Sequence, residues 1–251
     1  MSGHSKWSSI KHQKGIVDAR RGQLFTKLTR EIIVAVREGG NNSEANFRLR
    51  LAIQKARDNN MPSENIERAI KRGSGMLEGA TLREMVIEGY GPGGAAILVQ
   101  ALSDNRNRTL QDIRNIFSRH GGSLGESGCV AWLFDSKGVI TVKANDSDAD
   151  ELALQAIDAG ADDVKVENGF VEIYTKPEEL EMVRGTLEQK ISPIASAELS
   201  MIPKTMVELE EKAALQTLKL LDKLEEMDEV QHVSSNANFP NSILERYHGE
   251  L

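Results

Sequence analysis

Cysteine is nearly absent from this chain: Cys129 is the single one among 251 residues. No internal disulfide can form, and thiolate zinc sites, which need two or more cysteines, are excluded. A reducing compartment fits that usage. Within the apolar run GCVAWLF, Cys129 reads as a small buried hydrophobe and not as a reactive thiol. Long hydrophobic runs are lacking too, with nothing near the roughly 20 apolar residues that a membrane span needs. No membrane partner is expected. The opening MSGHSKWSSIKHQKG has neither an acid nor an apolar stretch, so it does not read as a secretory signal. It shares the acid-poor character of a mitochondrial presequence, but it carries Trp7 and runs directly into the first helix. A cytoplasmic protein is expected.

Patterns that signal catalysis are missing as well. The five histidines, at 4, 12, 120, 232 and 248, have no ligand spacing, and neither a Ser-His-Asp arrangement nor a nucleophile elbow occurs. Carboxylates are plentiful but fall mostly on acidic helix faces, without a metal-type cluster. Gly91-Pro92-Gly93-Gly94 lacks the Lys-Ser/Thr ending of a phosphate loop and joins strand to strand, as a hairpin turn does. The sequence predicts a non-enzymatic protein with no cofactor, no metal and no small-molecule substrate.

What the sequence does contain is charge of both signs, unevenly placed. The formal net charge is −7. Residues 1–73 hold 15 Lys+Arg against 7 Asp+Glu, a net of +8, which leaves 16 against 31, or −15, for the remainder. Such asymmetry points to a polyanion on the basic side. The 39% hydrophobic and 27% charged fractions are those of a globular protein. At roughly 100 to 200 residues per domain, this length suggests two or three domains.

Three helices are predicted between about 18 and 73. Leu24, Leu28, Ile32 and Val36 recur at helical spacing before Gly39-Gly40; Ser43 is placed to cap a second helix carrying Ala45, Leu49, Ala52, Ile53 and Ala56. Asn59-Asn60-Met61-Pro62 breaks that helix, and Ser63 opens a third, with Ile66, Ala69 and Ile70 inward. Beyond GSGMLEGA the period becomes extended: strands at 84–90 and 95–102, a helix near 107–119 and a strand near 129–134. Residues 137–202 read strand, helix, strand, strand, helix, strand, the split β-α-β order of a ferredoxin-like unit, with 6 basic against 14 acidic residues. A long helix from about Met206 to Met227 and an extended EVQHVSSN cannot make a core alone, so the tail is expected to return to the middle unit. The fold class is therefore α+β with three domains. They are a basic arm and three-helix bundle at 1–78, a discontinuous α/β domain at 79–135 plus 204–251, and an inserted acidic ferredoxin-like domain at 136–203.

The candidate site is a cationic strip: Lys6, Trp7, Lys11 and Lys14, leading to Arg20, Arg21, Lys27 and Arg30. Cations on a chain with a lone aromatic suit phosphate contacts plus stacking on an exposed base. Ser103 to Thr109 adds Arg106 and Arg108 at a helix N-terminus, where free amides favour an anion. Helix Ser63–Arg72 presents Arg68, Lys71 and Arg72 outward, much as a recognition helix does. The expected partner is nucleic acid, either DNA or rRNA in the ribosome. Nothing in the sequence sets an oligomeric state.

The motifs GHSKW, REI at 30–32, GG at 39–40, LRLAI at 49–53, NNMP at 59–62, DNRNRT at 104–109, GGSLGESG at 121–128 and VQHV at 230–233 together resemble the YebC/PmpR family over essentially the whole chain. That resemblance implies three domains around a cleft and a DNA-binding transcriptional regulator. It also implies an alternative, because mitochondrial relatives are translational activators on the ribosome and bacterial members are implicated in relieving stalling at proline runs. NNSEAN at 41–46 departs from the family's usual Asp-Pro, Cys129 stands where Ser is usual, and SSNANFP at 234–240 is longer than the usual run.

Overall fold

The computed structural model describes residues 18–79, 81–144, 149–167, 169–190 and 194–249. The fold is α+β. It divides into two compact units: Leu133–Met206, and the described residues of Gly15–Trp132 together with Val207–Leu251.

The larger unit opens with helices α1 (Asp18–Gly39), α2 (Phe47–Asp58) and α3 (Ser63–Gly73). Their apolar stripes have nowhere to go but against each other, and Leu28, Ile32, Leu49, Ala52, Ala56 and Ala69 close into one buried core. Each fully buried Leu or Ile contributes about 1.5 to 3 kcal/mol. The second helix is capped by Asn46 and not by Ser43. Asn46 Oδ1 accepts from the Leu49 amide at 3.0 Å, and its Nδ2 donates to the carbonyls of Ala35 at 2.7 Å and Gly40 at 2.8 Å. An amide accepts the cap bond and still has two protons to give to two carbonyls, where a hydroxyl has only one. Asn46→Ala is therefore expected to cost about 1 to 2 kcal/mol, read as a lowered denaturant midpoint.

A four-stranded antiparallel sheet follows. Strands β1 (Arg83–Tyr90) and β2 (Ala96–Ser103) form a hairpin with Tyr90 opposite Ala96, closed through Pro92–Gly94, where Gly93 has φ 75° and Gly94 φ 81°. Helix α4 (Arg106–Arg119) leads to the short β3 (Ser123–Leu124). The expected strand at 129–134 does not form. Ala131–Leu133 is a tight helical turn, and the amides of Gly128, Val130 and Ala131 donate to the buried carboxylate of Glu88 at 2.6, 2.7 and 2.8 Å. With an acceptor supplied from β1, these donors need no ladder partner. From the tail, α7 (Glu211–Glu225) begins later than the spacing suggests, because Val207–Glu208 pairs as β8 with β10 (Ala237–Asn238). Strand β9 (Val230–Ser235) lies antiparallel on β2, with Val99 opposite Val233, and α8 (Asn241–Gly249) ends the described chain.

The smaller unit contains β4 (Phe134–Lys143), α5 (Ala149–Asp158), β5 (Asp163–Glu167), β6 (Phe170–Thr175), α6 (Leu180–Lys190) and β7 (Ile194–Pro203). Its sheet order is β5-β6-β4-β7 with all neighbours antiparallel, which is the ferredoxin-like arrangement. Ile140, Val142, Val171 and Ile173 from the sheet and Leu180, Val183 and Leu187 from α6 are buried.

Candidate nucleic-acid interface

Lys6, Trp7, Lys11 and Lys14 lie outside the described residues, as does the side chain of Arg20. The remaining cations of the strip divide by direction. Arg21 is exposed, with its guanidinium 5.6 Å from the centre of the Phe25 ring, one turn further along α1. Lys27 faces the protein: its ammonium donates to the Glu225 carbonyl at 2.5 Å. That carbonyl belongs to the last turn of α7, where a cation complements the helix dipole. Arg30 donates to the Leu102 carbonyl at the end of β2 at 2.9 Å and lies 3.6 Å from the Glu229 carboxylate. Lys27 and Arg30 thus fasten α1 to the sheet side of the unit.

The loop before α4 is arranged in the same inward way. Asn105, and not Asp104 or Thr109, caps the helix: its side chain accepts from the Arg108 amide at 3.1 Å. The Arg108 guanidinium turns back to Asp104 at 3.0 Å and to Glu229 at 3.5 Å, while Ser103 and Thr109 share a buried hydroxyl contact at 2.7 Å. Glu229 therefore sits between Arg30 and Arg108, half-neutralising both. Arg106 remains exposed and makes no hydrogen bond or ion pair among the described residues.

Other cations of the helices are also occupied. Arg48 bridges Glu38 and Glu84, and Arg50 donates to the carbonyls of Ser43 and Glu44, each at 2.7 Å. Arg37, Arg57, Arg68, Lys71 and Arg72 differ: all five are exposed, with no side-chain partner among the described residues. The outward face of α3 was legible from its spacing. Arg37 was not, because nothing in VAVREGG sets it apart from the cations of the strip.

A glycine sets how closely the helices that carry Arg37 and Arg72 approach. A Cβ at Gly73 would come 2.7 Å from Val36 Cβ and 2.9 Å from the Ile33 carbonyl, so α3 approaches α1 closely there. Arg37 follows Val36 and Arg72 precedes Gly73, and both line one cleft of about 410 Å³.

Two further groups bear on chemistry. Cys129 is half-buried where its apolar run suggested full burial, and desolvation with the nearby Glu88 carboxylate pushes its thiol up from the ordinary value, which disfavours the thiolate. Burial, then Lys223, Lys219 and Arg119, push His120 down, marking a second concentration of cations around the end of α4. Among the described residues, no group of three or more His, Cys, Asp or Glu could hold a metal ion, and no helix is long and apolar enough to cross a membrane.

Comparison with known proteins gives this arrangement a context. Residues 5–76 match the TACO1/YebC protein N-terminal domain, and residues 82–237 match the TACO1/YebC second and third domain. A probable transcriptional regulatory protein of Dehalococcoides mccartyi is 61% identical over 250 residues, covering 100% of both chains. One from Natranaerobius thermophilus is 50% identical, covering 98% of this chain and 99% of its own. The crystal structure of a conserved hypothetical protein from Aquifex aeolicus superposes with a TM-score of 0.86 at 51% identity, covering 92% of this chain and 96% of the other. On domain content, whole-length identity and fold together, this chain belongs to the TACO1/YebC family.

Proposed function

We propose that the protein is a non-enzymatic regulator of gene expression that binds nucleic acid through the outward cations of α1, α2 and α3, acting on DNA as a transcriptional regulator. The observation that carries this reading is the set Arg37, Arg57, Arg68, Lys71 and Arg72, exposed on rigid helices with no internal partner among the described residues. A cation already paired with the protein's own carboxylate has little left for phosphate, whereas these retain their full attraction and release counterions on binding. The names of the relatives support transcription. The net −8 of residues 137–202 favours a second reading, a translation factor on the ribosome, where an acidic unit can face basic ribosomal proteins while the helices meet rRNA.

The test is anisotropy titration of a promoter fragment, a random duplex and an rRNA fragment between about 50 and 200 mM salt. Arg68→Ala with Lys71→Ala is expected to flatten the slope of log affinity against log salt by about 1 to 2 units. An unchanged slope removes α3 from the interface. Preference for the promoter over random duplex supports transcription; preference for rRNA, with the chain sedimenting with ribosomes, supports translation.

A further inference from the structure

The cleft lined by α1, α3, Gly79 and Leu82 is, we propose, a binding site for a single nucleotide unit, its phosphate held by Arg37 and Arg72 and its base laid on an apolar floor. The floor is Phe25, Ile33, Met61 and Leu82. A volume of about 410 Å³ falls in the range of ligand pockets, roughly 300 to 1,000 Å³. Two other charged residues line the cleft, but both are engaged elsewhere: Arg30 with Leu102 and Glu229, Asp104 with Arg108. The charge free to act on an occupant is therefore the two guanidiniums that the Gly73 contact brings to one cleft.

Two unpaired guanidiniums lining one small cavity repel each other, and an anion relieves that repulsion. Their planar forks match phosphate oxygens two at a time. Inorganic phosphate alone would leave the aromatic and aliphatic floor unused, and a fatty anion would leave the polar wall unused. That wall is Asn65, half-buried, whose side-chain amide has no hydrogen-bond partner among the described residues and offers both a donor and an acceptor. A base edge presents the same pair of functions, so phosphate, flat ring and polar edge each find their counterpart. The site shares Arg37 and Arg72 with the outward cations of the proposed function, whereas Arg68 and Lys71 lie outside its lining, so the two readings are tested apart. A free nucleotide and an unstacked nucleotide of a single strand share this chemistry.

Titration calorimetry with the four ribonucleoside 5′-monophosphates tests the inference on the full chain. One saturable site per chain is expected, weakened at least tenfold by Arg37→Ala with Arg72→Ala, and with its base preference altered by Asn65→Leu. Arg37 and Arg72 are exposed, so the variant keeps its melting temperature. Competition identifies the source. Displacement of the mononucleotide by a 12-residue single strand, and not by duplex, supports an unstacked nucleotide of a polymer; no displacement by either supports a free nucleotide. Absence of saturable binding by all four, with single-strand affinity unchanged in the double variant, overturns the site. If duplex binding still falls with Arg68→Ala and Lys71→Ala, the proposed function survives that failure. Mononucleotide binding without any duplex or strand binding is the converse result, in which the cleft stands and the proposed function falls.

Discussion

Glu88→Ala is expected to destabilise the larger unit by about 3 kcal/mol, since it strips the acceptor from three amides at once. Glu88 is 5% exposed and Val130 is buried, so the lost acceptor is an internal one. The loss should appear as a lower denaturant midpoint and as rapid hydrogen exchange at Gly128, Val130 and Ala131. Normal protection there in the variant would show that the loop holds without the carboxylate. The same contacts set a pH dependence. Burial raises the Glu88 carboxyl, but the three donors together outweigh it and hold the group below its ordinary value of 4.5. The folded chain then binds this proton less readily than the unfolded chain. Its stabilisation is complete above the ordinary value and is lost as pH falls through the lower, folded one. Wild type and Glu88→Gln should accordingly differ most near neutrality and converge in acid.

Gly73→Val is expected to cost about 2 to 3 kcal/mol, the penalty for forcing atoms into a filled helix crossing. The obstructing atoms are Val36 Cβ at 2.7 Å and the Ile33 backbone carbonyl at 2.9 Å, and backbone cannot swing aside. Because Arg37 and Arg72 flank this contact in sequence, the variant should also weaken mononucleotide binding. A Gly73→Val variant that kept the wild-type denaturant midpoint would show that α1 and α3 part here without cost.

Much of the architecture was readable because its signals are local. The stripe from Leu28 to Val36, the break at Asn59–Pro62 and the alternation in VITVKA each depend on neighbours a few residues away, and the helices and strands stand there. Longer-range relations were hidden. GCVAWLF has the composition of a strand, and its amides avoid the ladder because a carboxylate some forty residues earlier receives them. Asn46 displaced Ser43 as the cap because it also reaches Ala35 across the bundle.

The candidate site was less legible for the same reason. Lys27, Arg30 and Arg37 are equivalent letters on one helix, yet the first two end on Glu225, Leu102 and Glu229, all distant in sequence, and the third does not. Counting charge over residues 1–73 located the basic module but could not tell which cations were already consumed. Arg37 lay beyond the strip that the counting picked out.

The pairing of β2 with β9 has a consequence for synthesis of the chain. Val99 meets Val233 only after the whole contiguous unit of Leu133–Met206 has been made. Emerging from the ribosome, the inserted unit can complete itself while one edge of β2 still waits for its neighbour, exposing bare peptide groups to any other strand. A nascent chain arrested near residue 206 should thus be the stage at which this protein is most prone to aggregate, and α7 and β9, made after it, act as its closing seam.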